Sequence, residues 1–156
     1  MSRPPGVIYV SPRNRPQAEE VEVPLNPAFA GRVYPATVPY LVGREKIREF
    51  AAAIGDTSDD PAAPPTFAIA LTLRAEVEVV SDPDLGLDLT RLLHRDQRFE
   101  HRRPIRDGDE LTVTVTISEV GRVGSTDTVT LTSDLRTVAG EHVCTTTSTL
   151  IAQSDD

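Results

Sequence analysis

The last third of the chain is written in a two-residue period, and that pattern narrows the fold more than anything else in the sequence. In "LTVTVTISEV", Leu111, Val113, Val115 and Ile117 fall on one side, and Thr112, Thr114, Thr116 and Ser118 on the other. A strand sends successive side chains to opposite faces, so this run is a strand with one face buried and one face wet. "TDTVTLTSDLRTV" repeats the pattern with Val129, Leu131 and Leu135, and "EHVCTTTSTLIAQ" makes a further threonine-rich strand. The breaks "GRVGS" (121–125) and "AGE" (139–141) are short and contain glycine, which suits antiparallel hairpins. An earlier strand, "DQRFEHRRPI", runs to Pro104 before a turn at "RDGDE".

A sheet with one apolar face needs a cover. In "VGREKIREFAAAIGD", Ile47, Phe50, Ala51 and Ile54 recur at spacings of three, four and seven, so residues 44–54 form an amphipathic helix. Gly55 fits the left-handed position that ends it. A second helix is expected to start at "PPTF", with proline in its first turn. Its residues Phe67, Ile69, Ala70, Leu71, Leu73 and Ala75 leave almost no polar face. A helix apolar nearly all round is normally buried. The expected fold is therefore α+β: one domain in which a curved antiparallel sheet wraps a buried central helix. The open sheet edge is a liability in isolation, so dimerisation is expected.

The length of 156 residues suits one domain. Eight of the 13 prolines fall in the first forty residues, where no apolar period is sustained. Residues 1–32 accordingly read as an extended or disordered arm, 33–152 as the domain and 153–156 as a tail. No apolar run reaches bilayer length, and "MSRPPGVIYV" lacks a signal-peptide plan. The single cysteine, Cys144, rules out an internal disulfide framework and a cysteine-based zinc site. These features point to a soluble, cytoplasmic protein. A net charge of −8, without aromatic residues interleaved among basic ones, argues against nucleic acid as a partner. "DTSDDPAAP" lacks the alternating oxygen ligands and central glycine of a calcium loop, so no metal is expected there.

A sheet around one helix is the hot-dog arrangement. The ordered run "YLVGREKIREFAAAIGD", "APPTF" and "HRDQRFEHRRPIRDGDEL" resembles the MaoC-like N-terminal, or FAS1-like, dehydratase domain over roughly residues 33–152. More narrowly, it is similar to the non-catalytic subunits of mycobacterial 3-hydroxyacyl-[acyl-carrier-protein] dehydratase. The resemblance implies an acyl thioester as ligand, carried on coenzyme A or acyl carrier protein. It also implies a homodimer or a heterodimer with another hot-dog subunit, and no cofactor. Active relatives carry Gly-Asp-x-Asn-Pro-x-His, whose carboxylate and imidazole handle water and a proton. Here Gly55-Asp56 matches, and Asp60-Pro61 stands near the Asn-Pro position. No histidine follows; the chain has only His94, His101 and His142. The resemblance therefore implies a subunit that depends on a catalytic partner.

Several residues are candidates on that basis. Asp56 is the candidate carboxylate, against a plain helix-terminal loop residue. His94 is a displaced base in a self-sufficient homodimer, against a structural role with Gln97 in a His-x-x-Gln pattern. Pro65, Thr66 and Phe67 line a thioester pocket at the helix start, against capping and core packing. The segment 91–106 holds six arginines, and Arg98, Arg102 and Arg103 are candidates for phosphate or carrier contact. Their alternative is an exposed strand face with scattered ion pairs. Cys144 reads as a small core residue and His142 as exposed. Two rival functions stand beside the partner-dependent one: the self-sufficient hydratase, and a module that binds acyl groups or scaffolds a complex without chemistry.

Overall fold

The computed structural model describes residues 23–153. The greater part of the expected arm, 1–22, lies outside the described residues, as does 154–156. Five antiparallel strands form one sheet in the order β1-β3-β4-β5-β2. They are β1 (Tyr40–Leu41), β2 (Leu92–His101), β3 (Glu110–Val123), β4 (Thr126–Thr137) and β5 (His142–Gln153). The two helices are α1 (Arg44–Ala53) and α2 (Ile69–Val80), and α2 packs across β3 and β4.

The alternation holds residue by residue. Leu111, Val113, Val115 and Ile117 are buried on β3, and Val129, Leu131 and Leu135 on β4. The threonines between them are half-buried on the outer face. β3 and β4 run longer than their apolar cores suggest, through Gly121 to a two-residue turn at 124–125. β2 begins earlier than expected, at Leu92, and ends at His101 rather than running to Pro104.

Three expectations are corrected. First, α2 starts at Ile69, four residues after Pro65. The stretch before it is a tight turn in which Phe67 N–H donates to Pro64 O and Ile69 N–H to Thr66 O. Second, α2 is not covered all round. Leu71, Ala75, Val79 and Val80 face the core, while Leu73 is 44% exposed and Val77 51% exposed. One sheet covers only one side of a helix. Third, the arm does not extend to residue 32 as free chain. Phe29 is buried in the core, and Asn26 N–H donates to Leu85 O.

The segment after Phe29 seals one sheet edge. Gly31 N–H donates to Ile117 O, Tyr34 N–H to Val115 O and Thr37 N–H to Val113 O, and Tyr40 then pairs with Leu111. Among the described residues, β2 is left as the long strand with an unpaired outer edge.

Gly86 fixes the strap from Val23 to Asn26. Its φ is +72°, and a Cβ there would lie 2.3 Å from Pro24 O and 2.6 Å from Val23 O. Gly55, at φ +73°, meets open space. Gly55→Ala is therefore expected to cost about 1–2 kcal/mol for a left-handed alanine. Gly86→Ala is expected to cost more, because main chain on the strap must also move. Urea midpoints of the two variants check this, and equal midpoints would contradict it.

Candidate functional site

The acidic corner is a consequence of how α1 stops. Gly55 N–H donates to Ala52 O and Asp56 N–H to Ala51 O, the paired bonds that close a helix on a left-handed glycine. Asp56 then turns the chain by accepting from Ser58 N–H at 2.9 Å, and Asp60 does the same for Ala62 N–H at 2.9 Å. The bonds from Ser58 hold the Asp56 carboxyl below its ordinary range. Beyond them, Ala63 N–H donates to Ile105 O and anchors the loop beside the turn into β3.

These turns wall a cleft of about 630 Å³ between α1 and the 106–107 loop. Asp56 and Asp59 line it on one side, Arg44, Ile47 and Arg48 on the helix side, and Arg106 at the loop. No histidine lines it. Its carboxylates and guanidiniums can hold water and polar groups, but the imidazole of a hydratase dyad is not among them.

The thioester candidates sit at the head of α2. Phe67 is fully buried and meets the Phe50 ring edge-on at 5.4 Å, so it is a core residue that ties α1 to α2. Pro65 and Thr66 are exposed. Among the described residues, the N–H groups of Thr66 and Ala68 have no backbone acceptor, and of the two only Thr66 is open to solvent, since Ala68 is fully buried. Free N–H groups at a helix start are the type of donor that stabilises an enolate oxygen.

The structure brings a different histidine to this place from the one expected. His94 is exposed at the far end of β2, beside a bulge. It lies seven residues from His101, about 23 Å along the strand at ~3.3 Å per residue. His101 Nε2 is 2.7 Å from Pro65 O, and its buried Nδ1 has no partner. The ring stacks on Phe99, with Cys144 Sγ 3.8 Å from Nε2. Cys144 is a buried core thiol whose pKa burial pushes up to about 11. The sequence signal for His101 was its position: it shares a strand face with Gln97 and Phe99 by the two-residue period. Its contact with Pro65 spans 36 residues, which no local pattern reveals.

The three arginines go separate ways. Arg98 pairs with Glu100 at 3.1 Å on the exposed edge. Arg102 is exposed, and its N–H donates to Val143 O. Arg103 is already engaged. Its two Nη atoms meet Asp109 at 2.8 and 3.0 Å, while Nε and Nη2 meet Glu141 at 2.9 and 3.1 Å. That fork leaves it fixing the fold rather than offered to a phosphate. His142 is half-buried rather than exposed, 2.8 Å from Thr145 Oγ1.

Burial tends to raise the Asp109 carboxyl, but the bonds from Arg103 and from Arg106 N–H outweigh it and hold it below its ordinary range. Arg103 lowers Glu141 in the same sense. Carboxyls lowered in the folded state contribute stability that is full above their unfolded pKa, about 4, and lost as pH falls through the folded values. Tm is expected to change little between about pH 7 and 5 and to fall below about pH 4. In Asp109→Asn that acid limb should be shallower, and an unchanged limb would contradict the assignment.

Comparison with known proteins places this geometry in context. The family profile described as "FAS1-like, dehydratase domain region" matches residues 28–146. The chain is 45% identical over 144 residues to a UPF0336 protein of Streptomyces avermitilis, covering 83% of this chain and 96% of the relative. A solved MaoC-like dehydratase aligns with a TM-score of 0.70 and 32% identity over 83% of this chain, which spans 43% of that longer one. A chain of the HadBC (3R-hydroxyacyl-ACP dehydratase) complex of Mycobacterium tuberculosis aligns with a TM-score of 0.67 and 26% identity, covering 80% of this chain and 97% of that one.

Proposed function

The chain belongs to the FAS1-like dehydratase domain family, with its hot-dog fold, and from that premise we propose that it is the substrate-holding subunit of an (R)-specific 3-hydroxyacyl-thioester dehydratase, or enoyl hydratase. A second hot-dog subunit bearing Gly-Asp-x-Asn-Pro-x-His supplies the carboxylate and imidazole. The observation that carries this reading is the cleft at Asp56, which has carboxylates and no imidazole. Removal of an α-proton next to a thioester near neutral pH calls for a base of histidine type.

Two open surfaces support the partner. β2 presents an unpaired edge of ten residues, and an edge of that length invites another strand. The outer flank of α2 exposes Leu73 and Val77 between Arg74 and Glu78, along a shallow apolar groove. A partner strand on β2 continues the sheet and brings the partner's own helix toward this flank. The HadBC relative is described as a complex, which supports a hot-dog partner for this chain. Within the pair, this chain's part is to hold the thioester at the head of α2. There the N–H of the exposed Thr66 is the donor offered to the carbonyl oxygen that gains charge.

A second reading has one observation in its favour: His101, with an unpartnered Nδ1 beside Pro65, offers an imidazole to a self-sufficient enzyme. Incubating the purified chain alone with crotonyl-coenzyme A separates the two. The partner-dependent reading expects no loss of the conjugated thioester absorbance. Turnover by the chain alone, abolished in Asp56→Asn or His101→Ala, would install the second reading instead.

A further inference from the structure

The core under α2 is not uniformly apolar. Glu76, in the middle of the helix, is 1% exposed. Its carboxylate accepts from Ser133 Oγ on β4 at 2.7 Å and from Ser148 Oγ on β5 at 2.8 Å. Ser133 and Ser148 are themselves fully buried. Ser148 Oγ also lies 2.8 Å from the Gln97 amide on β2. The atom it meets there is Gln97 Oε1, while Gln97 Nε2 donates to Thr147 O, and because a hydroxyl has one proton to give, Ser148 donates to Glu76 or to Gln97 at any one time. The result is one polar bridge from helix to edge strand across a largely apolar core. Among the described residues, the partners of Glu76 are two hydroxyls.

Two further buried hydroxyls extend this patch toward the head of α2. Thr72 precedes Glu76 by one helical turn, and Thr146 precedes Ser148 by one step on the same strand face. Both are fully buried, and neither Oγ1 has a partner. Cys144 and His101 come next on that side, below Pro65. The polar lining therefore runs down the inner side of α2 from its head to Glu76. Eight residues separate Ala68 from Glu76, about 12 Å of helix at 1.5 Å per residue.

We infer that Glu76, seated on Ser133 and Ser148, closes the space beneath α2 to an alkyl chain and so restricts this subunit to short acyl groups. The inference rests on the reading above, in which the thioester meets the head of α2. From there an acyl chain has two ways along the helix: outside, past Leu73 and Val77, which the partner covers in this reading, or inside, between helix and sheet. The inside way meets hydroxyls within the first turn and a carboxylate after about two turns. To pass, a chain must break both bonds to Glu76 and leave its carboxylate unpaired in a dry core. Leaving that buried carboxyl without its partners costs more than the first methylenes gain by burial. Glu76 thus acts on specificity without touching the reacting atoms.

The test uses the complex of this chain with a hot-dog subunit bearing the Asp/His motif. Binding of butyryl- and dodecanoyl-coenzyme A is read by calorimetry, and kcat/KM is read on the matching enoyl thioesters. The wild type is expected to prefer the four-carbon group by tenfold or more. In the variant carrying Glu76→Leu, Ser133→Ala and Ser148→Ala, the long-to-short ratio should rise at least tenfold. Glu76→Gln, which keeps the size and the hydrogen-bonding reach, should leave the ratio unchanged. A wild type that binds and turns over both lengths equally overturns the inference even if the apolar variant does not fold. So does a folded apolar variant with an unchanged ratio. If neither thioester binds at any concentration tested, the thioester reading itself falls and takes this inference with it.

Discussion

Glutamate at both Leu73 and Val77 should leave the chain folded and monomeric, yet unable to join its hot-dog partner. In the chain alone these side chains are 44% and 51% exposed on the outer flank of α2, so polar replacements remove little buried apolar area. Surface changes of that kind usually shift stability by less than about 0.5 kcal/mol. In the proposed complex the same side chains lie in a seam, where burying the exposed half of each contributes about 0.7–1.5 kcal/mol. Losing both corresponds to a weakening of about 10–10²-fold, at tenfold per ~1.4 kcal/mol. Arg74 and Glu78 flank them, and two added carboxylates would also upset the charge balance of that strip. Size-exclusion chromatography of the mixed subunits, with circular dichroism of the variant alone, reads both halves. A variant that still co-elutes at wild-type concentration would place the partner elsewhere.

The second large effect belongs to Arg103. Its guanidinium joins the end of β2 to Asp109 before β3 and to Glu141 in the β4–β5 hairpin. Asp109 is only 15% exposed in its side chain, so Arg103→Ala leaves a largely buried carboxylate without its bidentate partner. Breaking a fully buried pair costs about 3–5 kcal/mol. Arg103 is itself 27% exposed, and solvent screening reduces the expected loss to about 2–3 kcal/mol. Glu141 lies on the surface and adds no separate figure. Arg103→Lys keeps the charge but not the planar fork, and should recover less than half of the loss. Thermal melts at pH 7 read the series. Equal stability of Arg103→Ala and wild type would return Arg103 to the set of arginines free to meet a ligand.

How far the sequence carries the structure can be seen at particular residues. The strands are legible because alternation is a local property: Val113 and Thr114 declare their faces without help from the rest of the chain. The end of α1 is legible for the same reason, since Gly55 supplies the conformation its helix needs to stop. The head of α2 is harder to place, because Pro64 through Ala68 make a tight turn that resembles a first helical turn in composition. The outer flank of α2 misleads for a physical reason: apolar periodicity shows that a face is covered, not which molecule covers it. Leu73 and Val77 stay exposed in the single chain, and in the proposed complex the partner covers them.

The candidate site divides along the same line. Asp56 and the missing motif histidine are visible in the sequence. The geometry that matters most is formed across long separations: His101 meets Pro65 over 36 residues, and Ser148 meets Glu76 over 72. Ser133 and Ser148 occupy inward positions of alternating strands, and that misfit was open to reading, though its partner on an apolar helix was not. Arg103 belonged to a basic run that invites a phosphate, until the 138–141 hairpin folds Glu141 onto it.

The central claim, that this chain holds substrate for a catalytic partner, is tested most directly by titration. A fixed amount of a hot-dog subunit bearing the Asp/His motif receives increasing amounts of this chain, with crotonyl-coenzyme A hydration followed throughout. The account predicts a rate that rises from the partner's own baseline and saturates at one chain per partner, with no rate from this chain alone. A rate proportional to this chain in the partner's absence, or a partner rate that never changes, would contradict it.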